Sequence, residues 1–178
     1  MNAQFKLADP TAVPYRLPQV DFMASDMVTV NILGGMESDP LWVPVSDAVS
    51  FRPILLSASN GYYVNLLRVR RSGVLSRHRH SGAVHAIVLK GHWRYLEHDW
   101  IAECGSYAFE PPGETHTLVV PEGVDEMITW FHVTGGYTYV DPDGRALAYE
   151  DVFTKIATAK AHYQQIGLPA GTLEKLIR

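Results

Sequence analysis

The amino-acid sequence predicts an all-β fold made of short strands and followed by a C-terminal helix. Short apolar segments recur from residue 41 to about residue 140, glycine or proline separates them, and the apolar period changes near the C-terminal end. Glycine supplies a positive φ angle and proline fixes φ, so these residues mark turns between strands. Short strands at this spacing are typical of a sandwich, a jelly roll or a small barrel.

The predicted strands lie between turn signals such as Asn60-Gly61, Gly91 and Pro121-Glu122-Gly123. They cover residues 41–45, 49–56, 62–69, 84–89, 92–97, 106–110, 116–120 and 126–134. We therefore expect the β-barrel to occupy residues 41–140.

The first 40 residues are rich in proline and glycine, which favours an extended N-terminal arm over a separate domain. The residues concerned are Pro10, Pro14, Pro18, Gly34, Gly35 and Pro40. With no obvious linker along the chain, we expect a single domain over residues 1–178, with the arm at 1–40.

The C-terminal segment, residues 149–178, has the apolar spacing of a helix that packs on the outside of the β-domain. The apolar positions are Val152, Phe153, Ile156, Ala159, Tyr163 and Ile166. Gly167 is placed to end this helix, and a shorter helical turn is predicted at residues 172–177.

The composition argues against several classes of protein. The net charge is −4, so the chain lacks the basic surface with which proteins bind nucleic acid. Cys104 is the single cysteine, which excludes an intrachain disulfide. No apolar stretch approaches the ~20 residues that span a bilayer, and the N-terminus has no secretory apolar core. We expect a cytoplasmic protein without nucleic-acid or membrane partners.

All but one of the histidines lie between residues 78 and 132. His78 and His80 form a His-x-His pair, and residues two apart in a strand point to the same face. Two such imidazoles can share a metal ion, although the pair alone is weak evidence for a site.

A second segment, residues 105–116, strengthens the hypothesis. It reads as a strand, the tight turn Pro111-Pro112-Gly113, and a returning strand that begins near His116. Such a turn can bring His116 beside the earlier pair. Three neutral imidazoles would then hold one metal ion and leave coordination positions open.

These two segments resemble the two sequence motifs of the cupins. Residues 73–91, with His78 and His80, are similar to the first motif, and residues 105–116, with His116, to the second. The resemblance implies a cupin fold, that is, a jelly-roll barrel or double-stranded β-helix, with a metal held by these three histidines.

The first motif departs from the cupin pattern at one position. Many cupins supply a glutamate ligand there, but this chain has Val84, followed by His85. A shift of one residue turns a side chain to the opposite face of a strand, so His85 is more simply interpreted as a core or surface histidine than as a fourth ligand.

Cupins with three histidines and no motif glutamate resemble iron dioxygenases that cleave carbon–carbon bonds of diketones and hydroxyketones. The segments Arg77-His78-Arg79-His80-Ser81-Gly82 and 110–116 are similar to those of the cupin dioxygenases of 2,4′-dihydroxyacetophenone. That resemblance implies Fe(II), dioxygen and an aromatic hydroxyketone, with 4-hydroxybenzoate and formate as products. A zinc-dependent isomerase or hydrolytic enzyme, and a ligand-binding cupin without catalysis, are the alternatives.

Glu110 is the candidate for a base beside the metal, because related diketone-cleaving cupins carry a glutamate at the matching place. An ion pair with an arginine is the alternative role, and Glu114 is expected to face solvent.

Some aromatic residues could hold an aryl substrate, although most are expected in the core. They are Trp93, Tyr95, Trp100, Tyr107, Phe109, Trp130 and Phe131.

Cupin subunits commonly associate in pairs, so a homodimer or homotetramer is expected.

Overall fold

The computed structural model describes residues 13–30, 32 and 39–178. The chain divides into two units, residues 1–32 and 33–178. The described residues of the first unit contain no helix or strand. Pro10, Gly34 and Gly35 of the predicted arm lie outside the described residues.

Over its described part, the second unit contains two six-stranded sheets in which neighbouring strands run antiparallel. The strands are β1 (Val43–Ser46), β2 (Val49–Ser57), β3 (Tyr62–Val69), β4 (Gly73–His80), β5 (Val84–Lys90), β6 (His92–Tyr95), β7 (Ala102–Glu103), β8 (Tyr107–Glu110), β9 (Thr115–Val120), β10 (Met127–Thr134), β11 (Tyr137–Val140) and β12 (Ala146–Glu150). The first sheet has the order β1-β2-β3-β10-β5-β8 and the second β12-β11-β4-β9-β6-β7. This is the predicted jelly-roll architecture.

The predicted list of strands omits β4, β7, β11 and β12, and the barrel continues past residue 140 to Glu150. The apolar side chains of β12 are its exposed ones, with Leu147 and Tyr149 about two-thirds accessible. Strand prediction relies on apolar residues that face the core and alternate with polar ones. The apolar residues of β12 face outward, so its sequence does not show this pattern and the strand is not predicted.

The main core combines apolar side chains from both sheets. Phe51, Tyr63 and Val84 of the first sheet belong to one buried cluster with Trp93 and Leu118 of the second. The inward faces of the two sheets thus enclose the space in which the candidate site lies.

Helix α1 (Val152–Gln165) begins at a capping box. The Asp151 carboxylate accepts hydrogen bonds from the backbone N–H groups of Phe153 and Thr154, and the Thr154 hydroxyl accepts one from the Asp151 N–H. Gly167, at a φ of 71°, follows the helix as predicted. A 3₁₀ turn at Glu174–Leu176 lies within the predicted second helical segment.

The buried face of α1 differs from the predicted apolar stripe. Phe153 and Ile166 are exposed, whereas Lys155 is buried. Burial of the Lys155 ammonium group is tolerated because it pairs with the Glu150 carboxylate and lies 4.1 Å from the centre of the Phe51 ring. Across the described residues, no helix is both long and apolar enough to cross a membrane.

Candidate metal centre

Strand pairing brings the three predicted ligands together. His78 of β4 lies directly opposite His116 of β9, and His80 follows two residues later on the same face of β4. The ring centres are 4.7 Å apart for His78 and His80, 4.8 Å for His78 and His116, and 5.2 Å for His80 and His116. All three side chains are buried, and one nitrogen of each lies within 4.8 Å of the others.

The donor set fits a divalent transition metal. The Nε2 atoms of His78 and His80 are 3.0 Å apart, a spacing that two ligands adopt around one ion at metal–nitrogen distances of about 2.1 Å. Within the described residues, both nitrogens of His116 and Nδ1 of His80 are buried without a hydrogen-bond partner. Buried polar atoms without partners are costly, and a metal ion would satisfy Nε2 of His116.

The protonation of the histidines also suits a metal. Burial lowers the pKa of His78 well below its ordinary value, and the neighbouring His80 and His116 lower it further. Burial is likewise the main reason that the pKa of His116 falls to about 4. Both imidazoles are therefore neutral at physiological pH, which is the form that binds metal.

Groups behind the ligands hold the imidazole rings in place. Ser76 Oγ lies 3.1 Å from Nδ1 of His78, and the Tyr95 ring stacks on His116 with ring centres 3.6 Å apart. Glu114 Oε2 lies 3.8 Å from Nδ1 of His116, while its Oε1 is 2.7 Å from Nε2 of His98. Glu114, expected to face solvent, is only partly exposed, at 29% of its side chain, and its two carboxylate oxygens contact these two rings.

Glu110 reaches the same site from the first sheet. It ends β8, directly opposite Val84 of β5, and is 3% exposed. Its Oε2 lies 3.1 Å from Nε2 of His80 and 3.6 Å from Nε2 of His116. A carboxylate therefore occupies the region that a glutamate at position 84 would enter, but it comes from the neighbouring strand. Among the described residues, the ionisable groups that its carboxylate contacts are these histidines, and it forms no ion pair with an arginine.

His85 lies outside the group of three histidines. Its Nδ1 is 2.7 Å from the Tyr107 hydroxyl, and its ring stacks on His132 with ring centres 5.7 Å apart. Adjacent Val84 is fully buried, so the one-residue shift turns His85 to the other face of β5, as the alternation of a strand requires.

A cavity of about 320 Å³ adjoins the histidines. His78, His80 and Glu110 line it together with apolar side chains such as Leu118 and Phe131. Of the predicted aromatic residues, Tyr95 and Phe131 line this cavity, Trp93 is buried in the core, and Tyr107 and Phe109 are more than half exposed. The cavity is large enough for a small aromatic molecule.

Comparisons with known proteins agree with this architecture. Residues 36–138 match a family model described as ChrR Cupin-like domain. No curated protein matches the chain. An RmlC-like cupin protein from Ralstonia eutropha has 27% identity and a TM-score of 0.69, with 74% of this chain and 87% of that chain covered. An acetylacetone dioxygenase from Acinetobacter johnsonii has 16% identity and a TM-score of 0.65, with 84% of this chain and 99% of that chain covered. At this low identity, the similarity establishes the fold alone.

Proposed function

This chain belongs to the family of ChrR cupin-like domains, and we propose that it is a non-haem Fe(II) dioxygenase of aromatic hydroxyketones. The reaction is the cleavage of 2,4′-dihydroxyacetophenone by dioxygen to 4-hydroxybenzoate and formate. The bond between the carbonyl carbon and the hydroxymethyl carbon breaks, and each product acid receives one atom of dioxygen, which balances the equation.

The observation that carries this proposal is the composition of the site. Three buried histidines offer imidazole nitrogens, and the strand position of the usual cupin glutamate holds Val84. A metal at this site would keep a higher positive charge than one with a carboxylate ligand, and several positions would stay open for a chelating substrate and dioxygen. The acetylacetone dioxygenase shows that a dioxygenase can be built on this scaffold.

Iron held by His78, His80 and His116 would supply the redox chemistry of dioxygen and acidify the carbon beside a chelated carbonyl group. Glu110 accepts the proton from that carbon in this proposal. Its Oε2 lies within 3.6 Å of two ligand nitrogens, and in the described structure both carboxylate oxygens lack a hydrogen-bond partner. The carboxylate is thus close to the substrate and available as a base. The apolar walls of the cavity would hold the aryl ring and exclude water.

Oxygen consumption by the iron-loaded protein tests the proposal. The protein is loaded anaerobically with Fe(II), its iron content is measured, and 2,4′-dihydroxyacetophenone is added in an oxygen electrode. We expect equal amounts of oxygen consumed and of both acids formed, with one atom of ¹⁸O in each acid when ¹⁸O₂ is used. The His116→Ala variant is the matched control.

Two outcomes would contradict the proposal. The first is the lack of oxygen uptake by protein that demonstrably contains iron. The second is turnover of a hydroxyketone by zinc-loaded protein under nitrogen, which would support an isomerase or a hydrolytic enzyme on the same scaffold.

A further inference from the structure

A polar cluster lines the same cavity as the histidines, and the proposed chemistry makes no use of it. Its members are Tyr137 and Tyr139 of β11, Glu150 at the end of β12, and Lys155 of α1, here called the polar cluster. The hydroxyl groups of Tyr137 and Tyr139 donate to the same oxygen of Glu150, Oε2, at 2.8 and 2.9 Å. Lys155 pairs with the other oxygen, Oε1.

Strand register places the polar cluster beside the metal centre. In the pairing of β11 with β4, Tyr137 lies opposite His80, and Tyr139 lies opposite His78. The Tyr137 ring centre is 4.8 Å from that of His78 and 5.4 Å from that of His80. A molecule that binds the metal and fills the cavity is therefore within reach of the polar cluster.

The hydrogen bonds within the polar cluster determine what it can still bind. A tyrosine hydroxyl has one proton to donate and two lone pairs to accept with. Both tyrosine hydroxyls contact Glu150, and their oxygens also lie 3.3 Å apart, so each proton is held by Glu150 or by the other tyrosine. The remaining lone pairs of the hydroxyl oxygens are what the cluster offers a ligand. Burial raises the pKa of both tyrosines, which keeps them protonated.

The net charge of the polar cluster disfavours an anion. The Lys155 ammonium group is neutralised by Glu150 and also lies over the Phe51 ring. A substrate carboxylate at the polar cluster would enter beside the Glu150 carboxylate, and neither tyrosine has a free proton for it. Arg71 also lines the cavity, but it is exposed and donates to the Val74 carbonyl. Burial of such an uncompensated charge is costly. A neutral hydroxyl group, in contrast, can donate its proton to a tyrosine oxygen.

We propose that the polar cluster is a specificity subsite that accepts a hydrogen bond from a neutral ring hydroxyl of the substrate. The inference rests on the proposed function in placing an aromatic ketone in this cavity, and it names the ring substituent that the enzyme selects. A ligand with a hydroxyl is expected to bind about tenfold more tightly than one with a methoxy group, since a site with free acceptors discriminates against a group that cannot donate.

Binding of unreactive ketones to the metal-free protein tests this inference without any turnover. The ligands are 4-hydroxyacetophenone, acetophenone, 4-methoxyacetophenone and 4-acetylbenzoate, and their dissociation constants are measured by calorimetry. We expect the hydroxyl compound to bind most tightly and the carboxylate most weakly. In Tyr139→Phe, the preference for hydroxyl over methoxy should fall to less than threefold, with acetophenone binding unchanged.

Tyr163→Phe is the matched control variant. It removes the hydroxyl of another largely buried tyrosine, which donates to the Leu41 carbonyl outside this cavity, so the preference should stay near tenfold. The inference is overturned if the wild-type protein binds the methoxy or carboxylate compound as tightly as the hydroxyl compound, or if Tyr139→Phe retains the full preference. A normal ligand preference without oxygen uptake by the iron-loaded protein would contradict only the proposed function.

Discussion

At the scale of single residues, the two glutamates that flank the turn at residues 111–113 serve the site differently. Glu110 approaches the ligand nitrogens directly, whereas Glu114 lies behind His116. We expect Glu110→Gln to retain its metal and to lose 10²- to 10⁴-fold in the rate of oxygen uptake, because an amide cannot accept the substrate proton. Metal analysis and steady-state kinetics measure the two effects. Glu122→Gln, at an exposed turn, is the control, and a Glu110→Gln enzyme of normal rate would exclude Glu110 as the base.

Glu114 is expected to act on metal affinity. A carboxylate behind a histidine ligand orients the ring and raises its basicity, and loss of such a partner typically weakens metal binding 10- to 100-fold. Glu114→Gln should therefore bind metal more weakly by that factor, as measured by competition with a chromophoric chelator. Unchanged affinity would mean that the 3.8 Å separation from Nδ1 of His116 is too long to matter.

The sequence predicts which residues form the centre better than it predicts what surrounds them. His78, His80 and His116 lie in motifs of fixed spacing, so local pattern is sufficient to bring them together. Ser76 and Glu114 lie two residues before His78 and His116, a spacing that the sequence contains. The position of Tyr95 depends on how β6 and β9 pair, which no local spacing encodes. Tyr95 reaches His116 because β6 and β9 are neighbours in the second sheet.

At the scale of elements, the turn between β10 and β11 depends on a glycine that has no room for a side chain. Gly136 has a φ of 118°, and a Cβ atom there would collide with the Glu150 carbonyl oxygen. Gly144, in the next turn, has a φ of 81° but open space around it. Both substitutions by alanine strain the backbone, and Gly136→Ala adds an overlap that costs about 1–3 kcal/mol. Urea unfolding should show Gly136→Ala to be less stable than Gly144→Ala by that amount; equal stabilities would contradict the steric argument.

Three strands of the first sheet are joined at one end by ion pairs. Glu126, just before β10, contacts Arg70 after β3 at 2.9 Å and Lys90 of β5 at 2.7 Å. Burial alone would raise the pKa of Glu126, but these two cations lower it below its ordinary value. A carboxylate with a lowered folded-state pKa stabilises the fold above its unfolded pKa and loses this effect as the pH falls through the folded-state pKa.

The free energy of unfolding of Glu126→Gln at pH 7 should therefore be lower than that of the wild type by about 0.5–1 kcal/mol. The effect is small because the ion pairs are partly exposed to solvent. The difference should shrink as the pH falls below 4.5, the ordinary pKa of the group. Urea unfolding at several pH values measures it, with the exposed neighbour Asp125→Asn as the control. A difference independent of pH would show that the contribution of Glu126 is not electrostatic.

The elements are predicted well wherever their buried face is apolar and poorly where it is not. β5 alternates between buried and more exposed residues as expected, whereas β11 presents Tyr137 and Tyr139 to the cavity and β12 exposes its apolar residues. Helix α1 differs from its prediction for the same reason. Its buried face includes the polar residue Lys155, whereas Phe153, which the apolar spacing predicts to be buried, is exposed. These three failures coincide with the polar cluster, a local departure from the patterns that burial alone produces. The other two missed strands, β4 and β7, lie outside it.

At the scale of the whole molecule, metal binding should stabilise the fold. An ion that binds only the native state adds about 2.7 kcal/mol at a free concentration one hundred times its dissociation constant. For a chain of this size, that increment raises the Tm by about 5–10 °C. Calorimetric scans with Fe(II) under nitrogen and with a chelator should show this shift, and His116→Ala should abolish it. An equal shift in His116→Ala would place the stabilising ion elsewhere.

The metal ligands and the polar cluster lie in two successive stretches of chain, residues 78–116 and 137–155. A single recombination event between residues 116 and 137 would therefore give a descendant the metal centre of one parent and the polar cluster of the other. Under the proposed reaction and subsite, such a descendant would keep the oxygen chemistry of one parent and accept the ring substituent of the other. Chimaeras joined in that interval offer a direct way to redesign specificity.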